Sequence, residues 1–147
     1  MKLKSLSLAA LASTLMATTL SAQAQTEITW WHSMTAVNNE WVNGLAKQFN
    51  ESQKAYKVSP IYKGSYDESM TAAIAAFRAG NAPHILQVFE VGTATMMASK
   101  GAVVPVGKVM ADAGVKFDPN AYIAAVSGYY TAPNGQMLSF PLNSSTT

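Results

Sequence analysis

The clearest prediction of the fold comes from one stretch of sequence, YKGSYDESMTAAIAAFRAGNAPHILQVFEVGTA, Tyr62 to Ala94. It opens with the S-x-x-E pattern of a capping box, in which the Ser65 side chain caps a helix and the Glu68 side chain reaches back to the N–H of that serine. The apolar face of the helix is formed by Met70, Ile74 and Phe77. Gly80 is a typical residue to end it. The pattern predicts an amphipathic helix that starts just after Ser65.

The second half of this stretch predicts a strand. HILQVFE, His84 to Glu90, is nearly continuous in apolar residues, which is typical of a central strand buried on both faces of a parallel sheet. Glu90 then stands where the strand should end at a turn. A carboxylate there is a solvated loop acid, a cap for a helix that begins near Gly92, or an acceptor for the hydroxyl groups of a ligand.

Two further strands and a helix precede this stretch. EITWW, Glu27 to Trp31, has the composition of an opening strand. YKVSPIYK, Tyr56 to Lys63, has that of a second strand, and Pro60 within it indicates an edge position or a bulge. The helix between them has an apolar residue at every fourth position: Val37, Trp41, Leu45 and Phe49. The alternation of strands and helices predicts an α/β fold with a mostly parallel sheet flanked by helices.

Shorter elements follow Glu90. TATMMASK is predicted as a short helix that ends at Gly101, and GKVMADAGV as another. Asp118 is a suitable N-cap with Pro119 at the first helical position, so DPNAYIAAVSG is predicted as a further helix. A Pro-Asn-Gly turn at residues 133–135 lies between two short β-like segments and predicts a hairpin.

The first residues have the features of an export signal. Lys2 and Lys4 give a basic start, an uncharged run of apolar and small residues follows, and Ala22-Gln23-Ala24 has the small-x-small form that signal peptidase needs. We expect residues 1–24 to be a signal peptide cleaved after Ala24. A membrane anchor is the alternative, but serines and threonines dilute the run below the apolar length of a spanning helix.

The charge and the cysteine content exclude several classes of partner. Without residues 1–24, eight basic and eight acidic residues remain, so the pI of about 8.9 largely reflects the leader. No basic run is left, which argues against nucleic acid as a partner. The chain has no cysteine, which excludes disulfides and thiolate metal sites. An export signal without a lipidation cysteine predicts the bacterial periplasm, and the ending FPLNSSTT indicates a fragment.

The predicted strand exits define where a ligand would bind. In open α/β sheets, ligands bind beyond the carboxyl ends of the strands. Three exits meet that description: one at His32 and Ser33, one at Ser65 and Tyr66, and one at Glu90. We expect them to share one rim. Tyr66 is either a surface residue of a first helical turn or a phenol that donates to an oxyanion.

His32 and Ser33 invite a catalytic interpretation, namely a secreted hydrolase that acts on phosphodiesters. No G-x-S-x-G or H-E-x-x-H motif accompanies them, and the other histidine, His84, is predicted at the opposite end of a strand. No carboxylates pair at metal-ligand spacing. We therefore predict no catalytic residue, no metal and no cofactor. Trp30 and Trp31 offer a stacking surface or belong to the core.

Four segments carry a resemblance to a known family. WWHSM, the stretch from Tyr62 to Gly101, VSGYY and FPLNSST resemble the extracellular solute-binding proteins of bacterial ABC importers that are related to maltose-binding protein. By this resemblance, residues 25–147 are the N-terminal lobe of a two-lobed protein (type II) of roughly three times this length. The resemblance implies a non-catalytic, monomeric periplasmic receptor that delivers a small molecule to a membrane permease and ATPase complex.

The resemblance also implies a ligand and a site. The ligand is glycerol 3-phosphate or a glycerophosphodiester with the same head, and a sugar or oligosaccharide is the alternative. Three positions match ligand contacts of the family: Tyr66, Glu90 and Ser145. The two hydroxyls would donate to phosphate oxygens, and the carboxylate would accept from glycerol hydroxyls. Only Lys63 and Arg78 are near the rim in sequence, so we expect this segment alone to bind weakly or not at all.

Overall fold

The computed structural model describes residues 24–99, 101–116 and 118–143, so nearly all of the predicted signal peptide lies outside these ranges. Strands and helices alternate strictly up to the third helix, and helices and turns follow. The bounds are β1 Thr26–His32, α1 Ala36–Ser52, β2 Tyr56–Tyr62, α2 Tyr66–Arg78, β3 Ile85–Leu86, α3 Glu90–Ala98, α4 Val106–Asp112, a 3-10 turn Pro119–Ala121, and α5 Ala124–Tyr129.

The described strands form one parallel sheet in the order β2-β1-β3. β1 pairs with β2 along all seven residues of each strand. β3 pairs with β1 only through Ile85 opposite Trp30 and Leu86 opposite Trp31. The predicted α/β fold with a parallel sheet flanked by helices is confirmed.

The third strand differs from its prediction. Among the described strands β1 is central, β3 lies at its side, and Ile85 is 44% exposed. Regular pairing stops after Leu86, because Phe89 is already the N-cap of α3 and Glu90 its first residue. A continuous apolar run indicates that its side chains are packed, but it does not say against what. Phe89, at the end of this run, packs against Tyr66 at the start of α2 and does not lie within the sheet.

β2 is an edge strand of this sheet, as Pro60 predicts. Two side chains near the end of α1 bind the backbone groups on its outer side. The Asn50 amide donates to the Val58 carbonyl at 2.8 Å, and its oxygen accepts the Val58 N–H at 2.7 Å. Gln53 makes the same pair of bonds to Tyr56, both at 2.7 Å. Pro60, the next residue on that side, has no N–H to satisfy.

Helix α1 turns a different face to the sheet than the four-residue spacing predicts. Its buried residues are Val42 and Ala46. The four apolar residues of the predicted face, Val37, Trp41, Leu45 and Phe49, are between 37% and 71% exposed. A step of four residues advances about 40° beyond a full turn, so the four residues spread over about 120° of the helix surface, and the buried pair lies beyond the Phe49 side of that stripe.

Helix α2 begins as its capping box predicts. The Ser65 hydroxyl accepts the Glu68 N–H at 3.3 Å, and the Glu68 carboxylate accepts the Ser65 N–H at 2.7 Å. Gly64, with φ of +82°, turns the chain into the cap, and a side chain there would collide with the Glu68 carboxylate. Ser69 and Ala73 are the buried residues of this helix, and Phe77 of the predicted apolar face is partly exposed.

The part after α3 is built from short elements. Asp118 caps the 3-10 turn by accepting the Asn120 N–H at 2.9 Å, so the helix predicted from Asp118 divides into this turn and α5. Thr131 and Met137 form an antiparallel bridge across the predicted Pro-Asn-Gly turn. Within the described ranges, no helix is both long and apolar enough to cross a membrane.

Candidate ligand-binding site

The carboxyl ends of the parallel strands lead directly into helix starts. β2 is followed by α2, whose first residue is Tyr66, and β3 is followed by α3, whose first residue is Glu90. Both strand-to-helix connections are short. Gly64 and Ser65 form the turn between β2 and α2, and Phe89 is the N-cap of α3. The two predicted site residues in the described part of the chain therefore occupy equivalent positions on neighbouring helices.

Tyr66 is held by its ring as well as by its backbone. The ring is half-buried and stacks on Phe89, with centroids 5.2 Å apart and planes inclined by 21°. The capping box directly before it fixes the backbone at the start of α2. Both restraints leave the phenol hydroxyl as the polar group that Tyr66 can offer to a ligand.

Glu90 is exposed and occupies the first turn of α3. A carboxylate there is stabilised by the partial positive charge of the helix N-terminus. α3 has no side-chain hydrogen bond at its cap, so Glu90 does not cap the helix as one interpretation expected. Within the described residues, its carboxylate makes no hydrogen bond or ion pair, which leaves its acceptor oxygens open to a ligand.

Tyr66 and Glu90 line the same cavity, which has a volume of about 1060 Å³ and is here called the rim cavity. Trp30, Gln87, Tyr130 and Asn143 are also among its lining residues. Of the three strand exits that we expected to share one rim, those at Tyr66 and Glu90 line this cavity, whereas His32 and Ser33 are not among its lining residues. That Tyr66 and Glu90 contact a ligand stays a prediction. The third predicted residue, Ser145, lies outside the described residues.

Gln87 is a polar lining residue that the sequence analysis missed. It is only 9% exposed. Its side-chain oxygen accepts the Ser33 N–H at 3.0 Å, and its amide donates to the Asn143 side chain at 3.3 Å. Its own N–H donates to the Trp31 carbonyl at 2.9 Å. Gln87 therefore ties the exits of β1 and β3 to Asn143, and the available signal was a glutamine inside an otherwise apolar run.

His32 is buried at the end of β1. It is 1% exposed, and its Nδ1 atom accepts the Met34 N–H at 3.3 Å. Burial lowers the pKa of His32 below its ordinary value. Its ring lies between Trp30 and Tyr62, at centroid distances of 6.2 and 6.1 Å. The side chain is thus enclosed by protein groups and does not offer a base to a ligand in the rim cavity.

Lys63 and His84 are two further residues that were considered at the sequence level. The Lys63 ammonium lies 3.9 Å from the centre of the Trp31 ring, a cation–π contact. The Nδ1 atom of His84 accepts the Thr29 N–H at 3.1 Å, and His84 is among the residues that line the rim cavity. In the described part of the chain, no three histidine, cysteine, aspartate or glutamate side chains form a group that could hold a metal ion.

Comparison with known proteins identifies the family of this chain. The model of the bacterial extracellular solute-binding protein family matches residues 35–147, and the chain belongs to this family. More particularly, the chain is 54% identical over 125 residues to the sn-glycerol-3-phosphate-binding periplasmic protein UgpB of Brucella abortus, covering 85% of this chain and 29% of the relative.

Two further relatives with the same description give similar values. Identity is 56% over 126 residues to the protein of Pectobacterium atrosepticum, covering 85% of this chain and 28% of that protein. It is 51% over 125 residues to the protein of Rhizobium meliloti, covering 85% and 29%. The chain spans less than a third of the length of these relatives.

Proposed function

We propose that the protein carrying this chain is the periplasmic receptor of an ABC importer and captures sn-glycerol 3-phosphate. Residues 25–147 would form its N-terminal lobe, after a signal peptide cleaved behind Ala24. Family membership and the glycerol-3-phosphate-binding relatives support this proposal. The single observation from the fold that supports it most is that Tyr66 and Glu90, at the first positions of α2 and α3, line one cavity.

The chemistry of the two residues suits the two ends of this ligand. The Tyr66 hydroxyl can donate to a phosphate oxygen, and Ser145 is proposed as a second donor. Glu90 has only acceptor atoms and repels a phosphate, so it would take the glycerol hydroxyls. Residues on one side of the cavity would then bind both the phosphate and the glycerol end of the ligand. A glycerophosphodiester has the same glycerol end.

We further propose that the ligand is bound and released unchanged. The geometry of His32 supports this, because its Nδ1 atom already accepts the Met34 N–H and its ring is enclosed. Delivery to a permease and ATPase complex, action as a monomer and the absence of a cofactor belong to the same proposal. A hydrolase would instead show turnover of a glycerophosphodiester that disappears in His32→Ala.

Calorimetric titration of the complete protein with sn-glycerol 3-phosphate tests the proposal. Glu90→Gln and Tyr66→Phe should each raise Kd by about 10- to 100-fold, the range for a hydrogen bond to a charged group. Glu51→Gln is the matched control, because Glu51 is an exposed glutamate on α1 that pairs with Lys47, and it should leave Kd unchanged. Wild-type protein that binds maltose-type sugars but not glycerol 3-phosphate would contradict the proposal.

A further inference from the structure

We propose that Tyr129 is a positioning residue for Glu90, and that it acts by holding the start of α3 in place. This inference rests on the proposed role of Glu90 as a ligand contact. The Tyr129 hydroxyl donates to the backbone carbonyl oxygen of Glu90 at 2.7 Å, across a sequence separation of 39 residues. The last residue of α5 is thereby bonded to the first residue of α3.

The start of α3 needs an external support. Its N-cap residue, Phe89, makes no side-chain cap hydrogen bond, whereas the equivalent position of α2 has a full capping box. An uncapped first turn leaves N–H groups unsatisfied and frays more easily than the rest of a helix. The Tyr129 hydroxyl donates to a carbonyl, so it does not satisfy these N–H groups but restrains the position of the turn. The Phe89 ring is fixed on one side by its stack with Tyr66, and the Tyr129 hydroxyl supplies the second fixed point, directly on Glu90.

The Glu90 carboxylate depends on this backbone support. In the described part of the chain it has no hydrogen-bond or ion-pair partner, so no side-chain contact sets its direction. Its position over the rim cavity follows from where the backbone of α3 begins. A bond to the backbone carbonyl of Glu90 fixes that point without occupying the carboxylate oxygens that a ligand would use.

Tyr129 itself is held in position by its neighbour Tyr130. The two rings meet edge to face, with centroids 5.1 Å apart and planes at 82°. Tyr130 is buried, and its carbonyl accepts the Leu138 N–H at 2.8 Å, which joins the end of α5 to the hairpin. Burial and the nearby charge of Glu90 both raise the pKa of Tyr130, which agrees with the close approach of this pair of tyrosines to α3.

A double-mutant cycle in the complete protein tests this role, with sn-glycerol 3-phosphate as the titrant. Tyr129→Phe removes only the hydroxyl and should raise Kd by about three- to tenfold, the equivalent of one neutral hydrogen bond. In the Glu90→Ala background the same change should leave Kd unaltered, because the group that it positions is gone. Tyr56→Phe is the matched control, since Tyr56 is also about half exposed but lies at the opposite end of β2; it should leave Kd unaltered.

The outcomes separate the two proposals. If Glu90→Ala leaves Kd at the wild-type value, Glu90 is not a ligand contact, and both the proposed site and this inference are overturned. If Glu90→Ala weakens binding but Tyr129→Phe does not, the site stands and the inference alone is overturned. An equal loss of affinity from Tyr129→Phe in both backgrounds also overturns it, because the effect would then not pass through Glu90.

Discussion

The ring of Tyr66 lies on the ring of Phe89, 5.2 Å between centroids, and this contact joins the first residue of α2 to the N-cap of α3. The two helix starts that line the rim cavity are thus packed against each other. Gly92, the third residue of α3, leaves the space for this arrangement: a Cβ atom there would lie 2.9 Å from the Phe89 ring and 3.1 Å from the Met70 sulfur.

Gly92→Ala should destabilise the protein for this reason. Alanine is the better helix former by about 1 kcal/mol, but the methyl group must displace the Phe89 ring, and overpacking of this kind costs about 1–3 kcal/mol. Gly44→Ala in α1 is the control, because a Cβ atom there meets nothing within 4 Å, and it should stabilise by about 0.5–1 kcal/mol. Urea unfolding of both variants measures the difference, and a stabilising effect at both positions would contradict the tight contact.

Gln87→Leu should be destabilising although it adds an apolar residue to a buried position. The Ser33 N–H loses its acceptor, and the Asn143 side chain loses its donor. An unsatisfied buried group costs about 1–3 kcal/mol. Gln48→Leu, at an exposed position of α1, should change the free energy of unfolding by less than about 0.5 kcal/mol. Equal effects in urea unfolding would show that the Gln87 bonds do not contribute to stability.

The buried His32 should make stability depend on pH on the acidic side of neutrality. Burial lowers the pKa of His32 in the folded protein below 6.5. As the pH falls, the unfolded chain therefore binds a proton at His32 before the folded protein does. The contribution of neutral His32 to stability is complete above about pH 6.5 and is lost as the pH falls toward the lowered pKa. The loss has an upper limit of about 1.4 kcal/mol per pH unit for one proton.

Urea unfolding at pH 8 and at pH 5.5 measures this dependence. His32→Gln removes the titrating group, so it should lower stability at both pH values but lose less between them than the wild type does. An identical pH dependence in both proteins would mean that another group is responsible.

The overall architecture could be predicted because its signals are local. The capping box at Ser65 and Glu68, and the edge position of Pro60, each depend on a few neighbouring residues, and the structure confirms both. Parallel strands end at one side of a sheet, so the meeting of Tyr66 and Glu90 in one cavity follows from the order of the elements. The differences arose where apolar patterns were taken as a measure of geometry, at the position of β3 among the described strands and at the face of α1.

The remaining parts of the candidate site could not be predicted, because they depend on contacts between distant segments. Gln87 reaches Ser33 across 54 positions and Asn143 across 56, and Tyr129 reaches Glu90 across 39. No short motif marks these pairs. Their geometry depends on how the helices after the sheet pack, which periodicity does not specify.

The two side-chain amides along β2 have a consequence for the behaviour of the protein at high concentration. Exposed strand edges are templates for intermolecular β-sheet formation and hence for aggregation. Asn50 and Gln53 occupy the hydrogen-bonding positions that an incoming foreign strand would need, and Pro60 offers it no donor. We therefore expect this edge of the sheet to pair poorly with a strand of a second copy of the chain when the protein is concentrated.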